Sequence, residues 1–267
     1  MSHTVLAARN LGFSYKRGKP VFSAIDLDVG SREIVCLLGS SGCGKSTLLK
    51  VLAGLQASTS GERHFLSAPL QQPHPRSALV FQQASLLPWL DVTGNVGFGL
   101  DFKHQPAIAA EERRQRVAEA IEAVGLQGRE HAFPAQLSGG MAQRVAIARA
   151  LARQPELLFA DEPFSALDAI TRAEMQVLLT TLVQRWHTAV LLVTHDIDEA
   201  ILMADRILLM SGQPGRILHE WRVDIARPRD ADPAAFGALK LSILAALRQH
   251  HPSLSDTPEN NNDTHPA

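Results

Sequence analysis

The octapeptide GSSGCGKS at 39–46 fits G-x-x-x-x-G-K-[ST], a pattern whose residue types suit the holding of a phosphate. Gly42 and Gly44 let the backbone wrap an anion with its N–H groups. Lys45 brings a charge for the β and γ oxygens, and the Ser46 hydroxyl suits Mg2+. LLFADEP at 157–163 ends an apolar run in two acids. Asp161 is expected on the metal side through water, and Glu162 is expected to orient or deprotonate an attacking water.

Two further strand-end residues join this set. His195 closes AVLLVTH; alone it reads as an ordinary histidine, but beside a nucleotide it becomes a γ-phosphate contact in either protonation state. Gln82 closes SALVFQ and is read the same way, as a surface glutamine or as a reach to metal and water. Tyr15, the single tyrosine, suits either stacking on adenine or filling a core.

A second anion seat opens LSGGMAQRVAIARAL at 137–151. Ser138, Gly139 and Gly140 stand at the start of a helical pattern in which Met141, Val145, Ala148 and Ala152 share a face. This seat has backbone donors and no lysine, so it supplements a phosphate site rather than making one.

The elements that must position these residues are legible as patterns. EIVCLLG, SALVFQ, ELLFAD and AVLLVTH are near-continuous apolar runs, the mark of strands buried on both faces of a parallel sheet. Chemistry follows each at its C-terminal end, where ligands gather in open α/β sheets. Helical patterns at 41–55, 171–186 and 196–205 fall between them. The segment 83–153 is helix-rich without a strand of the buried type and reads as a helical subdomain inserted in an α/β core. The first thirty residues alternate apolar and polar, which predicts an antiparallel β subdomain beside that core. One domain is expected over 1–250, and a polar, proline-bearing disordered tail over 251–267.

Composition narrows the function. The chain has 267 residues, 45% of them hydrophobic, and a formal net charge of -1, so nucleic acid is not an expected partner. Cys36 lies in an apolar run and Cys43 in the glycine loop, which argues against a disulfide framework and for a reducing compartment. A thiol inside a phosphate loop is expected to be shielded from reagents by nucleotide. No signal peptide is read, and no apolar run approaches the ~18 residues that cross a bilayer, so a membrane would be reached through another protein. The histidines show no zinc spacing, no Ser/His/Asp set forms, and 111–116 reads as a solvated helix face.

In order along the chain, these residues resemble the motifs of the nucleotide-binding subunit of ABC transporters. Tyr15 matches the A-loop, GSSGCGKST the Walker A loop, Gln82 the Q-loop, LSGGM the signature, LLFADE the Walker B strand, SALD the D-loop and His195 the switch histidine. The likeness spans about residues 5–222 and departs at Met141, where glutamine is commoner. It implies a P-loop NTPase fold and ATP with Mg2+ as ligands. It also adds Gly39, Ser40, Ser41, Cys43, Thr47 and Asp168 to the nucleotide set. Two such subunits are expected to pair head to tail, the loop of one and the Ser138–Gly140 seat of the other closing on one ATP.

LLPW followed by NV, and DEPFSALD, resemble the importer branch that serves nitrate, sulfonate and taurine. That implies a permease, a periplasmic or lipoprotein solute-binding protein, a homodimer, and a peripheral place on the cytoplasmic face of the inner membrane. Leu86, Leu87, Trp89 and Leu90 either line the groove for a permease helix or pack the helical subdomain. FGALKLSILAALRQ at 236–249 either covers the core or meets a partner. An exporter and a non-transport ATPase of the same superfamily stand as alternatives. Glu162 and His195 argue against a module that binds ATP without turning it over.

Overall fold

The computed structural model describes residues 3–15 and 18–249; the tail expected over 251–267 lies outside them. Two sheets form. Strands β1 (Thr4–Ser14), β2 (Pro20–Gly30), β4 (Ser60–Phe65) and β5 (Ala68–Pro69) make an antiparallel sheet in the order β2-β1-β4-β5. The second sheet contains β3 (Ile34–Leu38), β6 (Ser77–Val80), β7 (Leu157–Asp161), β8 (Ala189–Thr194), β9 (Arg206–Ser211) and β10 (Arg216–Arg222). Its order is β10-β9-β3-β8-β7-β6, parallel except for the edge strand β10, which runs antiparallel to β9.

The α/β, P-loop fold class expected from the sequence is therefore present, with four strands that sequence patterning did not pick out: β4 and β5 of the antiparallel sheet, and β9 and β10. RILLMS and RILHEWR, β9 and β10, follow the last chemical motif and carry none of their own.

The two-residue period of the strands divides the core. Val35, Leu37, Phe159, Leu191 and Val193 face helix α1 (Lys45–Leu52) and the antiparallel sheet. Ile34, Cys36, Leu38, Ala160 and Leu192 face the other layer, which contains α2 (Val92–Gly97), α3 (Ala110–Ala123), α4 (Gly139–Leu151), α5 (Ala169–Arg185) and α6 (Ile197–Met203). Both faces of the central strands are thus dry, which is why their sequences read as unbroken apolar runs.

No strand lies between Gln83 and Arg153; α2, α3, α4 and a short 3-10 turn at Pro134–Gln136 occupy that stretch. The closing helix α7 (Pro233–Gln249) packs on α6, with Ile243 and Ala246 buried. The sequence left α7 open between covering the core and meeting a partner, and it does cover the core. No helix among the described residues is long and apolar enough to cross a membrane.

Candidate active site

Strand register brings the chemistry to one edge. Val80 pairs with Ala160, Asp161 with Val193, and Leu38 with Thr194. One step beyond those pairs lie Glu162, His195 and Gly39, and two steps beyond Val80 lies Gln82, all at the C-terminal ends of neighbouring parallel strands.

The loop between β3 and α1 is built to approach an anion. Gly42 has φ +84°, and nothing lies within 4 Å of where a Cβ would stand, so its backbone is open to a ligand. Gly44 caps α1 at φ +99°, where a Cβ would meet Val21 Cγ1 at 2.9 Å. Both positions need the left-handed freedom of glycine. Lys45 is buried, and its ammonium donates to the carbonyls of Gly39 at 2.7 Å and Ser40 at 2.9 Å. The loop thus holds its own cation in place, ready to be turned to a phosphate.

Cys43 differs from what its place in the motif implied. Its side chain is buried and its thiol donates to the Met210 carbonyl at 3.3 Å. Burial raises its pKa, so only the backbone of Cys43 faces the anion side, and shielding by the fold precedes any shielding by nucleotide. Cys36 and Cys43 are both free and buried, consistent with the absence of a disulfide framework.

Ser46 and Asp161, the two residues expected on the metal side, are brought together. The Ser46 hydroxyl donates to Asp161 Oδ1 at 2.9 Å. Burial pushes the Asp161 carboxyl above its ordinary value; the Ser46 bond opposes this and the Glu162 charge adds to it. Two hard oxygens at a half-buried edge, one of them a carboxylate's, fit Mg2+. Among the described residues no cluster of three or more His, Cys, Asp or Glu could hold a metal. The donor set is therefore the sparse kind in which Mg2+ keeps water and phosphate ligands.

Glu162 has φ 45°, a costly conformation for a residue with a side chain. Its N–H donates to the Val193 carbonyl at 2.9 Å, and its own carbonyl accepts from the Ser165 hydroxyl at 3.0 Å, which hold the turn. The carboxylate Oε2 then stands 3.1 Å from His195 Nδ1. Tyr15 is 56% exposed, with its hydroxyl 3.4 Å from Thr47 Oγ1, so the core-filling reading fails and a ring is presented beside the phosphate loop.

Gln82 is exposed, and no hydrogen bond among the described residues ties it to the acids. Its loop is held instead from α4. Gln143 donates to the Phe81 carbonyl at 3.3 Å, and Arg149 donates to Ala84 at 2.8 Å and Ser85 at 3.0 Å. Sequence reading passed over both residues, since a long polar side chain on a helix looks like a solvated face. Their place inside the LSGGMAQRVAIARAL stretch was the available signal.

The second seat lies elsewhere. Ser138 caps α4, accepting from the Met141 N–H at 3.3 Å, and Ser138 and Gly139 are exposed. A Cβ on Gly140 would meet Thr171 of α5 at 2.6 Å, so the seat rests on α5 and not on the phosphate loop. Asp168 caps α5 through the Thr171 N–H at 3.0 Å, which lowers its pKa and engages its carboxylate locally. Of the four apolar residues at 86–90, Trp89 is 70% exposed, whereas Leu86 packs against the core.

Residues 22–165 match the ABC transporter family. The chain belongs to the ABC transporter family. It is 45% identical over 231 residues to the aliphatic sulfonates import ATP-binding protein SsuB 2 of Burkholderia lata, covering 86% of this chain and 82% of that relative. Identity to SsuB 1 of Xanthomonas axonopodis pv. citri is 47% over 235 residues, covering 87% and 92%. Among solved structures it is similar to the dimeric ATP-binding cassette MJ0796 in a post-hydrolysis state with ADP and Pi. The TM-score there is 0.70 at 33% identity, over 82% of this chain and 98% of that one. A cassette of the cbiONQ complex, CbiO1 of Clostridium perfringens, gives a TM-score of 0.75 at 26% identity over 94% and 97%. As an ABC ATPase the chain binds and hydrolyses ATP with Mg2+, and it works with a permease and a second cassette.

Proposed function

We propose that this chain is the ATPase subunit of an importer for aliphatic sulfonates or a related small solute. It acts as a head-to-tail homodimer on the cytoplasmic face of the plasma membrane, fed by a solute-binding protein on the far side. Residues 1–250 form one ABC ATPase domain with a helical subdomain inserted at 83–153. The observation that carries this reading is the separation of two anion seats. The phosphate loop, the acids and His195 share one sheet edge, while the Ser138–Gly140 seat, with Ser138 and Gly139 exposed, opens α4 against α5 and has no lysine. A seat that cannot hold ATP alone and cannot reach the loop in its own chain is suited to a second copy. Relatives named for sulfonate import supply the solute class.

In that dimer the open backbone of Gly42 and its neighbours wraps the phosphates, and Lys45 turns from the Gly39 and Ser40 carbonyls to their oxygens. Tyr15 offers its ring to adenine. Ser46 and Asp161, with Gln82, would hold Mg2+, which when bound neutralises phosphate charge. Glu162 accepts a proton from, or orients, the attacking water, and His195 keeps that carboxylate aimed while facing the γ-phosphate. Positioning and charge supply nearly all of such a reaction. Exposed Phe81, Trp89, Phe98 and Phe102 flank the loop after β6 and form the apolar surface for the permease.

The test is reconstitution of the chain with its permease and binding protein in vesicles. ATP hydrolysis should rise when the binding protein carries an alkanesulfonate, and not when it carries nitrate. Ser138→Arg should keep ATP binding by each monomer and abolish the ATP-dependent dimer on sizing; a Ser138→Arg chain that still dimerises with ATP removes the head-to-tail reading.

A further inference from the structure

The end of α7 lies against the phosphate loop. Gly39, Ser40 and Ser41 of the loop, His195 beyond β8, and Leu247 and Arg248 of α7 line one cleft of about 380 Å³. No carboxylate lines it. Arg248 is exposed and makes no hydrogen bond or ion pair among the described residues, whereas Arg172, Arg227 and Arg229 each donate to backbone carbonyls. A guanidinium with no partner among the described residues, facing a cleft that also holds loop amides and an imidazole, is a cation set for an anion.

Contacts along α7 fix its placement. Lys240 Nζ lies 2.7 Å from Asp198 Oδ1, and the Trp221 indole donates to the Ser242 hydroxyl at 3.1 Å. Ile243 and Ala246 are buried, and Phe236, Leu239 and Leu247 pack against the core. The helix is therefore anchored on α6, which follows His195 directly, and on β10.

We propose that Arg248 is a nucleotide contact, its guanidinium binding the terminal phosphate of the ATP seated on the loop of its own chain. The proposal rests on the reading of 39–47 as the ATP seat. An arginine near the end of a helix is otherwise explained by the helix dipole alone, which would leave nucleotide affinity untouched. The cleft marks the γ end of the nucleotide because His195 shares it.

Binding of ATP and of ADP to the full chain, each with EDTA to prevent turnover, is measured by calorimetry for the natural protein, Arg248→Ala, Arg248→Lys and Lys45→Ala. Loss of one charge-assisted contact predicts roughly tenfold weaker ATP binding in Arg248→Ala, with ADP affinity changed less than about twofold. Arg248→Lys should recover part of the loss. Unchanged ATP affinity in Arg248→Ala overturns the proposal. Equal weakening for ATP and ADP overturns the assignment to the terminal phosphate. Thermal unfolding without nucleotide checks that α7 stays folded in each variant. Failure of the natural chain to bind ATP, or full binding by Lys45→Ala, would instead reject the seat itself.

Discussion

Glu162 Oε2 and His195 Nδ1 stand 3.1 Å apart although the residues lie on separate strand ends. The contact exists because Glu162 takes φ 45°, turning its side chain out of the strand and toward its neighbour. In the proposed mechanism, the carboxylate that acts on water and the residue that aims it are held together by the fold itself, so little reorganisation is needed during the reaction.

Removing the carboxylate charge should separate binding from chemistry. Glu162→Gln keeps the shape of the site and loses the base, so phosphate release should fall by roughly a hundredfold or more. ATP binding should persist, and ATP should now hold the chain as a dimer on sizing. Rapid turnover by the Gln variant would reject Glu162 as the base.

Arg149 holds the loop after β6 by bonds to two carbonyls, Ala84 and Ser85. Arg149→Ala leaves those carbonyls without their donor and frees the loop that carries Gln82. ATP affinity should stay within about twofold while turnover falls several-fold, because the change touches positioning and not the phosphate seat. A shift in the KM for ATP with unchanged kcat would contradict this.

Glu199 supplies the pH dependence. It is buried on α6 with Oε1 unpaired, and its pKa is pushed up to about 7 from 4.5 by burial first and the Asp196 charge second. The folded chain then binds a proton that the unfolded chain releases, so stability from this group is full below about pH 4.5. It declines as pH rises to about 7, by an amount on the order of 3 kcal/mol. Glu199→Gln should flatten urea midpoints between pH 5 and 8 and raise stability at pH 8. Parallel pH profiles for the two chains would show the group is not responsible.

The two thiols should be slow to react with or without ATP. Cys36 and Cys43 are buried, and burial raises both pKa values. Titration with an aromatic disulfide should show both sulfurs only on unfolding. Rapid labelling of Cys43 that ATP suppresses would restore the simpler expectation from its place in the loop.

Local sequence determined the parts of this protein whose physics is local. Unbroken apolar runs marked β3, β6, β7 and β8 because strands dry on both faces admit no polar alternation. GSSGCGKS and LSGGM announced two anion seats because glycine and a capping serine expose backbone donors wherever they occur. What the chain could not declare by itself were the distances between such pieces. The parallel register aligns Gln82, Glu162, His195 and Gly39, and that register depends on packing between strands far apart in sequence. Tyr15 read equally well as core or as ring for adenine until the sheet left it exposed. Gln143 and Arg149 acquired their role only from the loop lying across α4, and Arg248 only from α7 folding back to the phosphate loop. A motif can specify which groups do chemistry, but long-range packing decides which of them meet.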